Sequence, residues 1–244
     1  ATFRVHIAPL GFEIDRIVIP LKQTKADKLW LMVHDNRSSD LSAPYLEKIK
    51  KECKKLGVEV EVAHSDRLNL FQTIKSIKDI INQEENNYIY VNVASGSKIQ
   101  AIACMMACMV LKECKNLQPF YAEPEKYAAF EGKQQSFGLK DTIPLPTYEI
   151  QTPKPKLLQA LKIVHESKNQ KITKKEMAII AEEQEIITIN SEEKNHSQAR
   201  FASLDKNIIQ PLVDEWNFVE IEKIGRNRWI KITQDGKDAA EFLV

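Results

Sequence analysis

Short apolar runs of β-prone residues alternate with longer runs of helical periodicity through the first 122 residues, and this alternation limits the fold more than any other feature. The strand-like runs fall at 3–8, 29–33, 58–63, 88–93 and 117–122; the intervening segments are 14–23, 44–56, 68–81 and 99–111. Ile14, Ile17, Val18 and Leu21 in the first of these, and Leu70, Ile74, Ile77 and Ile81 in the third, recur at helical spacing. Gly57 stands where a helix over 44–56 needs a left-handed cap. Strands apolar enough to be covered on both faces, alternating with helices, predict an α/β domain with a mostly parallel sheet flanked by helices.

The fourth strand leads into the most informative turn. Tyr88-Ile89-Tyr90-Val91-Asn92-Val93 is followed by Ala94-Ser95-Gly96-Ser97-Lys98 and then by the apolar run 99–111. Gly96 permits backbone angles denied to other residues, and Ser95 or Ser97 can cap the helix, whose first N–H groups lack internal partners. Such a turn, with the ammonium of Lys98 beside it, suits a phosphate or a ribose hydroxyl. An ordinary helix cap is the alternative. The turn is neither a Walker loop nor the three-glycine dinucleotide fingerprint.

In a parallel sheet, ligands bind beyond the carboxyl ends of strands where the strand order reverses. The loop after the first strand, Pro9-Leu10-Gly11-Phe12-Glu13, and the loop Ser95–Lys98 share one crevice if their strands are neighbours. The loop 34–40, with Asp35, Asn36, Arg37 and Ser38, could reach the same edge, but reads more simply as a solvated connection.

Composition narrows the function. A formal net charge of +1 gives no whole-protein field that would draw nucleic acid or a membrane surface. No basic region leads into a long apolar stretch at the start of the sequence, and the run 99–111 is too short for a membrane span, so the expectation is a cytoplasmic protein without a membrane partner. Cys53, Cys104, Cys108 and Cys114 form no CxxC pair and read as reduced thiols. Cys104 and Cys108, one helical turn apart, could ligate a metal, but no histidine lies near in sequence and no metal site is expected.

Beyond residue 122 the pattern weakens. Residues 130–134 read as a hairpin turn and 143–146 as an extended passage; Thr152-Pro153-Lys154-Pro155 marks a linker, because paired prolines resist helix and central strand alike. The expected domains are therefore 1–150 and 151–244. The second has helices at 156–166, 174–184 (capped by Thr173, with Glu176 three residues on) and 198–216, which Pro211 should kink or split. Short strands at 218–223 and 228–232, joined through Gly225-Arg226, and a closing helix from Thr233 complete a winged helix-turn-helix, with the third helix as groove reader and the hairpin as wing. Lys174, Lys175, Arg200, Lys206, Arg226 and Arg228 stand where DNA phosphates would be met. Yet residues 151–244 hold as many acidic as basic residues, so a protein-docking module is the alternative.

With both halves placed, the chain resembles the archaeal regulators that join an N-terminal CARF domain, the CRISPR-associated Rossmann-like fold, to a C-terminal winged helix. The carriers are the loop Pro9-Leu10-Gly11-Phe12-Glu13, with Asp15 and Arg16 behind it, and Ala94-Ser95-Gly96-Ser97-Lys98, similar to that family's Ser/Thr-Gly-Gly-Thr/Ser-Lys/Arg turn but with one glycine in place of two. The resemblance implies a homodimer whose paired loops bind a cyclic oligoadenylate second messenger. Ser95, Gly96, Ser97 and Lys98 would then hold phosphates and riboses, and Leu10, Gly11, Phe12 and Glu13 would line the pocket. It implies a DNA-binding transcription regulator that uses no cofactor other than this regulatory ligand. A ring nuclease cleaving the ligand is the enzymatic alternative, although these loops offer no dedicated base; His6 and His34 are the nearest histidines. A nucleotide-sensing module that docks a protein complex is the third reading.

Overall fold

The computed structural model describes residues 2–35, 40–128, 133–190 and 193–244. It divides into two compact units, Ala1–Gln151 and Thr152–Val244. The first runs β1 (Arg4–Pro9), α1 (Asp15–Thr24), β2 (Lys28–His34), α2 (Ala43–Leu56), β3 (Glu59–Ser65), α3 (Leu70–Gln83), β4 (Tyr88–Asn92), α4 (Lys98–Val110) and β5 (Leu117–Glu123). A hairpin of β6 (Lys126–Tyr127) and β7 (Ser136–Phe137) follows, then β8 (Asp141–Pro144). Residues 130–132 of the expected hairpin turn lie outside the described residues, but β6 and β7 on either side of it pair antiparallel.

The main sheet has the order β3-β2-β1-β4-β5-β8. Its first five strands are parallel, and β8 joins β5 antiparallel. The passage 143–146, read from sequence as extended, thus begins inside an edge strand, where Pro144 costs the sheet little. The chain builds outward from β1 through β2 to β3, returns, and builds the other way through β4 to β5. Right-handed crossovers then place α1 and α2 on one face and α3 and α4 on the other. Ala8, Leu29, Leu31 and Val33 bury against Ile17, Leu21 and Ile49 of α1 and α2, while α3 and α4 pack side by side and bury Ile74, Ile77, Cys104 and Cys108. Gly57 adopts a left-handed φ of 71° and closes α2.

The cysteines are free. Burial pushes the Cys53 thiol up to about 11 and the Cys108 thiol up to about 12. No group of three or more His, Cys, Asp or Glu among the described residues could hold a metal ion. No helix among them is long and apolar enough to cross a membrane. His6 lies within the sheet, 1% exposed, with Nε2 2.8 Å from the Thr24 hydroxyl and its ring against Tyr90 and Phe120. Burial lowers its pKa to about 3, so it is a neutral core side chain.

The second unit comprises α5 (Pro155–Glu166), β9 (Lys171–Thr173), α6 (Lys174–Glu183), α7 (His196–Leu204), β10 (Val219–Ile224), β11 (Asn227–Ile232) and α8 (Gln234–Leu243). The Thr173 hydroxyl accepts the Glu176 N–H at 3.2 Å and starts α6 as its sequence demands. Pro211 neither ends nor sharply splits the third helix. Instead α7 continues through two π-type turns, Asp205–Ile209 and Pro211–Glu215, a wider winding that accommodates a residue with no N–H to donate. A strand not read from sequence, β9, pairs with β11 and turns the hairpin into a three-stranded wing sheet. Leu161, Met177, Leu204, Leu212 and Ile230 meet in one core.

Gly236 sits inside the first turn of α8, where alanine would ordinarily be worth about 1 kcal/mol to a helix. A Cβ there would lie 2.1 Å from the Phe218 carbonyl oxygen. Gly236→Ala is therefore expected to lower stability by about 1–3 kcal/mol, reversing the helix-propensity trend; a urea melt showing unchanged or raised stability would refute the close approach.

Candidate functional site

Strands β1 and β4 are neighbours in register from Arg4↔Tyr88 to Ile7↔Val91, and the strand order reverses between them. Their following loops therefore meet at the carboxyl edge, and they meet backbone to backbone. A Cβ on Gly11 would stand 3.0 Å from the Cα and N of Gly96. Gly96 has φ +79°, and a Cβ there would fall 2.5 Å from both the Pro9 Cβ and the Gln100 Oε1. A side chain at Gly96 is opposed by both φ and close contact, and one at Gly11 would require the Gly96 backbone to give way.

The turn then starts α4 through a complete capping box. The Ser97 hydroxyl accepts the Gln100 N–H at 3.2 Å, and Gln100 Oε1 accepts the Ser97 N–H at 2.8 Å. Of the two serines offered as caps, Ser97 serves. With both ends of the box satisfied, the N–H groups of Lys98 and Ile99 have no acceptor among the described residues. They form the positive end of α4.

These loops border a cleft of about 310 Å³. Leu10, Gly11, Phe12, Glu13, Gly96 and Ser97, all singled out from sequence, line it. Lys98 is exposed on the first turn of α4 and is not among the lining residues, and Ser95 is 1% exposed behind them. The Ser95 hydroxyl has no hydrogen-bond partner among the described residues, nor do Asp40 Oδ2 and the Ser65 hydroxyl. Asn36, Arg37 and Ser38 lie outside the described residues; Asp35 is exposed.

Four lining residues carry chemistry that the sequence reading did not assign to the site. Arg67, in the loop after β3, donates its backbone N–H to His34 Nδ1 at 3.2 Å. Its guanidinium lies 4.0 Å from the buried Asp40 carboxylate, which is itself held by the Ser42 N–H and hydroxyl. Arg16 is 5% exposed, bonded to the Ala122 carbonyl at 2.7 Å and to Glu13 at 3.1 Å. The other oxygen of Glu13 accepts the Ser136 hydroxyl, so Glu13 anchors the wall it was expected only to line. Gln135 donates to the Phe12 carbonyl at 2.9 Å and fastens the β6–β7 hairpin over the first loop. Tyr127, 64% exposed, stands on that hairpin; a hydrogen bond with Tyr121 raises its pKa. The signal that could have found Arg67 is a cation just past a strand's carboxyl end. Tyr127 had no sequence signal, because only the hairpin's fold brings it there.

In the second unit the six cations expected to face DNA divide into two groups. Lys174 pairs with Asp205 at 2.6 Å, and Arg200 with Glu182 at 2.6 Å, beside His196 on the same carboxylate. These pairs fasten α6 to the third helix at both ends. Lys175, Lys206, Arg226 and Arg228 are exposed.

A Rossmann-like α/β domain followed by a winged helix is thus the class of protein that the fold defines. Residues 4–127 match the HFX_2341_N-like, N-terminal family, and residues 156–244 match the DUF6293 C-terminal winged helix domain. The first match spans half of the chain, and the chain belongs to that family. Protein MJ1513 of Methanocaldococcus jannaschii is 30% identical over 206 residues, 74% of this chain and 61% of that protein. The chain therefore matches less than two thirds of that relative's length. Among solved structures it is similar to Can2 from Sulfobacillus thermosulfidooxidans in complex with cyclic tetra-adenylate, with a TM-score of 0.43, 16% identity, and coverage of 98% of this chain and 63% of that one. It is also similar to Enterococcus italicus Csm6 bound to cyclic hexa-2'-fluoro-hexa-dAMP, with a TM-score of 0.42, 12% identity, and coverage of 52% and 34%.

Gly57 and Gly96 separate the two costs of a left-handed glycine, since a Cβ on Gly57 meets nothing within 4 Å. Gly57→Ala should lose about 1–2 kcal/mol for the backbone conformation alone, and Gly96→Ala a further 1–3 kcal/mol, roughly, for overpacking. Equal losses in chemical denaturation would show that the two loops do not touch.

Proposed function

We propose that this chain is a ligand-responsive transcription regulator of the CRISPR-associated type. Two copies bind a cyclic oligoadenylate, or a related nucleotide, across paired clefts, and the winged helix binds DNA. The observation that carries the reading is the side-chain-free contact of Gly11 and Gly96, which leaves the capped N-terminus of α4 open beside Arg67 in one cleft. Phosphate suits that combination of oriented N–H groups and a guanidinium.

Pairing has its own support. Residues 99–111 contain no charged side chain, yet Ile102 of α4 is 53% exposed. A helix apolar on all sides belongs under cover, and a second copy would provide it. A ring-shaped ligand with rotational symmetry matches a two-fold site made from the same loops twice. To act as a signal, the ligand must bind one arrangement of the dimer better than the other.

Binding without cleavage is the reading we favour. Glu13 is committed to Arg16 and Ser136, His6 is in the core, and His34 accepts the Arg67 N–H. None is a spare base at the cleft.

Calorimetric titration with cyclic tetra-adenylate and cyclic hexa-adenylate, followed by chromatography of the recovered nucleotide, tests the first half. One intact ring per two chains is expected, and Arg67→Ala should weaken binding about tenfold or more, as when a charged hydrogen bond is removed. Linear products would make the protein an enzyme, and no binding of either ring would overturn the ligand class. For the second half, Arg226→Ala with Arg228→Ala should lower affinity for duplex DNA and flatten its salt dependence by about one unit of slope for each phosphate no longer neutralised. Affinity that the wild type lacks, or that salt leaves unchanged, would turn the winged helix into a protein-docking module.

A further inference from the structure

We infer that Tyr127 is the platform on which a purine base of the ligand stacks, an inference that rests on the nucleotide reading of the same cleft. The cleft walls described so far recognise anions: open N–H groups at the start of α4, Arg67 and the Ser97 turn. A nucleotide also brings flat, weakly hydrated bases, which proteins hold on aromatic faces. Among the described lining residues two are aromatic, and one of these is available. Phe12 is half-buried and engaged edge-to-face with Tyr45, 5.5 Å between ring centres. Tyr127 is 64% exposed.

The ring is also held ready. Its hydroxyl lies 3.1 Å from that of Tyr121, and the Arg16 guanidinium stands 5.8 Å from the ring centre. Arg16 is fixed in turn by the Ala122 carbonyl and Glu13. The hairpin itself is tied down on the β7 side, through Gln135 to the Phe12 carbonyl, Ser136 to Glu13, and the Gly138 N–H to the Asp15 carboxylate at 2.8 Å. An exposed tyrosine on a loose hairpin would lose entropy on stacking; this one has little left to lose. A cation on one side of the ring leaves the opposite side to a base, and places Arg16 as the support of a stack rather than a phosphate ligand. Stacking reads the flatness and area of a base more than its hydrogen-bonding edge, so Tyr127 supplies affinity for purines and the polar cleft walls must supply any choice among them.

The test is titration of the full chain with cyclic tetra-adenylate for the wild type, Tyr127→Leu, Tyr127→Phe and Tyr127→Trp. Tyr127→Leu, which keeps apolar bulk without an aromatic face, is expected to weaken binding about tenfold or more for each stacked base. Tyr127→Phe should bind within about twofold of the wild type, because the ring and not the hydroxyl makes the contact. Tyr127→Trp should restore affinity, and its added fluorescence, above that of the three native tryptophans, should be quenched on titration. Wild-type affinity in Tyr127→Leu, or equal losses in the leucine and phenylalanine variants, would overturn the stacking role while leaving the cleft as the nucleotide site. A wild type that binds no ring would overturn the site and the stack together.

Discussion

Everything at the carboxyl edge of the sheet depends on how closely two peptide backbones can approach. Parallel neighbours β1 and β4 bring their loops to the same place, and any Cβ at Gly11 or Gly96 would push them apart. Because the contact is made by backbone alone, the Ser97 cap is carried against the first-strand loop and α4 starts facing open space. The cleft is thus a consequence of two missing side chains in a sheet whose order happens to reverse there.

A second constraint holds the opposite wall. Burying Arg16 is expensive unless the charge is matched, and removing one partner of such a pair typically costs about 3–5 kcal/mol. Glu13 supplies the match, and Ser136 takes its other oxygen. One ion pair therefore joins the first loop, α1, β5 and the β6–β7 hairpin, four segments of which the last two are remote in sequence from the others. Glu13 works here as an anchor, and the residues free to meet a ligand are those it positions.

The five alternations of strand and helix, the Gly57 cap, the Thr173 cap and the Gly225-Arg226 hairpin were all legible, because each is a local pattern with a local cause. The two cleft loops were legible for the same reason: glycine and serine after a strand mark a tight turn into a helix. What escaped was non-local. Strand β9 is three residues long and exists through its pairing with β11. Pro211 was expected to kink or split the third helix, and the helix widens into π-type turns around it. Lys98, adjacent in sequence to the turn, is carried to the exposed side by helical rotation, while Arg67 and Tyr127 reach the cleft from segments that no periodicity connects to it.

The same distinction governs the cations of the winged helix. Sequence position placed six of them on elements expected to face DNA, but a cation on a helix surface answers first to the nearest carboxylate. Lys174 and Arg200 are held by Asp205 and Glu182, and the two pairs tie α6 to the third helix instead of offering charge to a phosphate. With basic and acidic residues balanced across 151–244, the remaining exposed cations must do their work by placement. Arg226 and Arg228 at the wing tip, with Lys175 and Lys206 on separate helices, form a few separated points of charge in place of a broad basic face. Separated points register the geometry of a partner more than its total charge, so on the proposed reading affinity would depend on how two copies are spaced, and a ligand would act only as far as it binds one spacing better than the other.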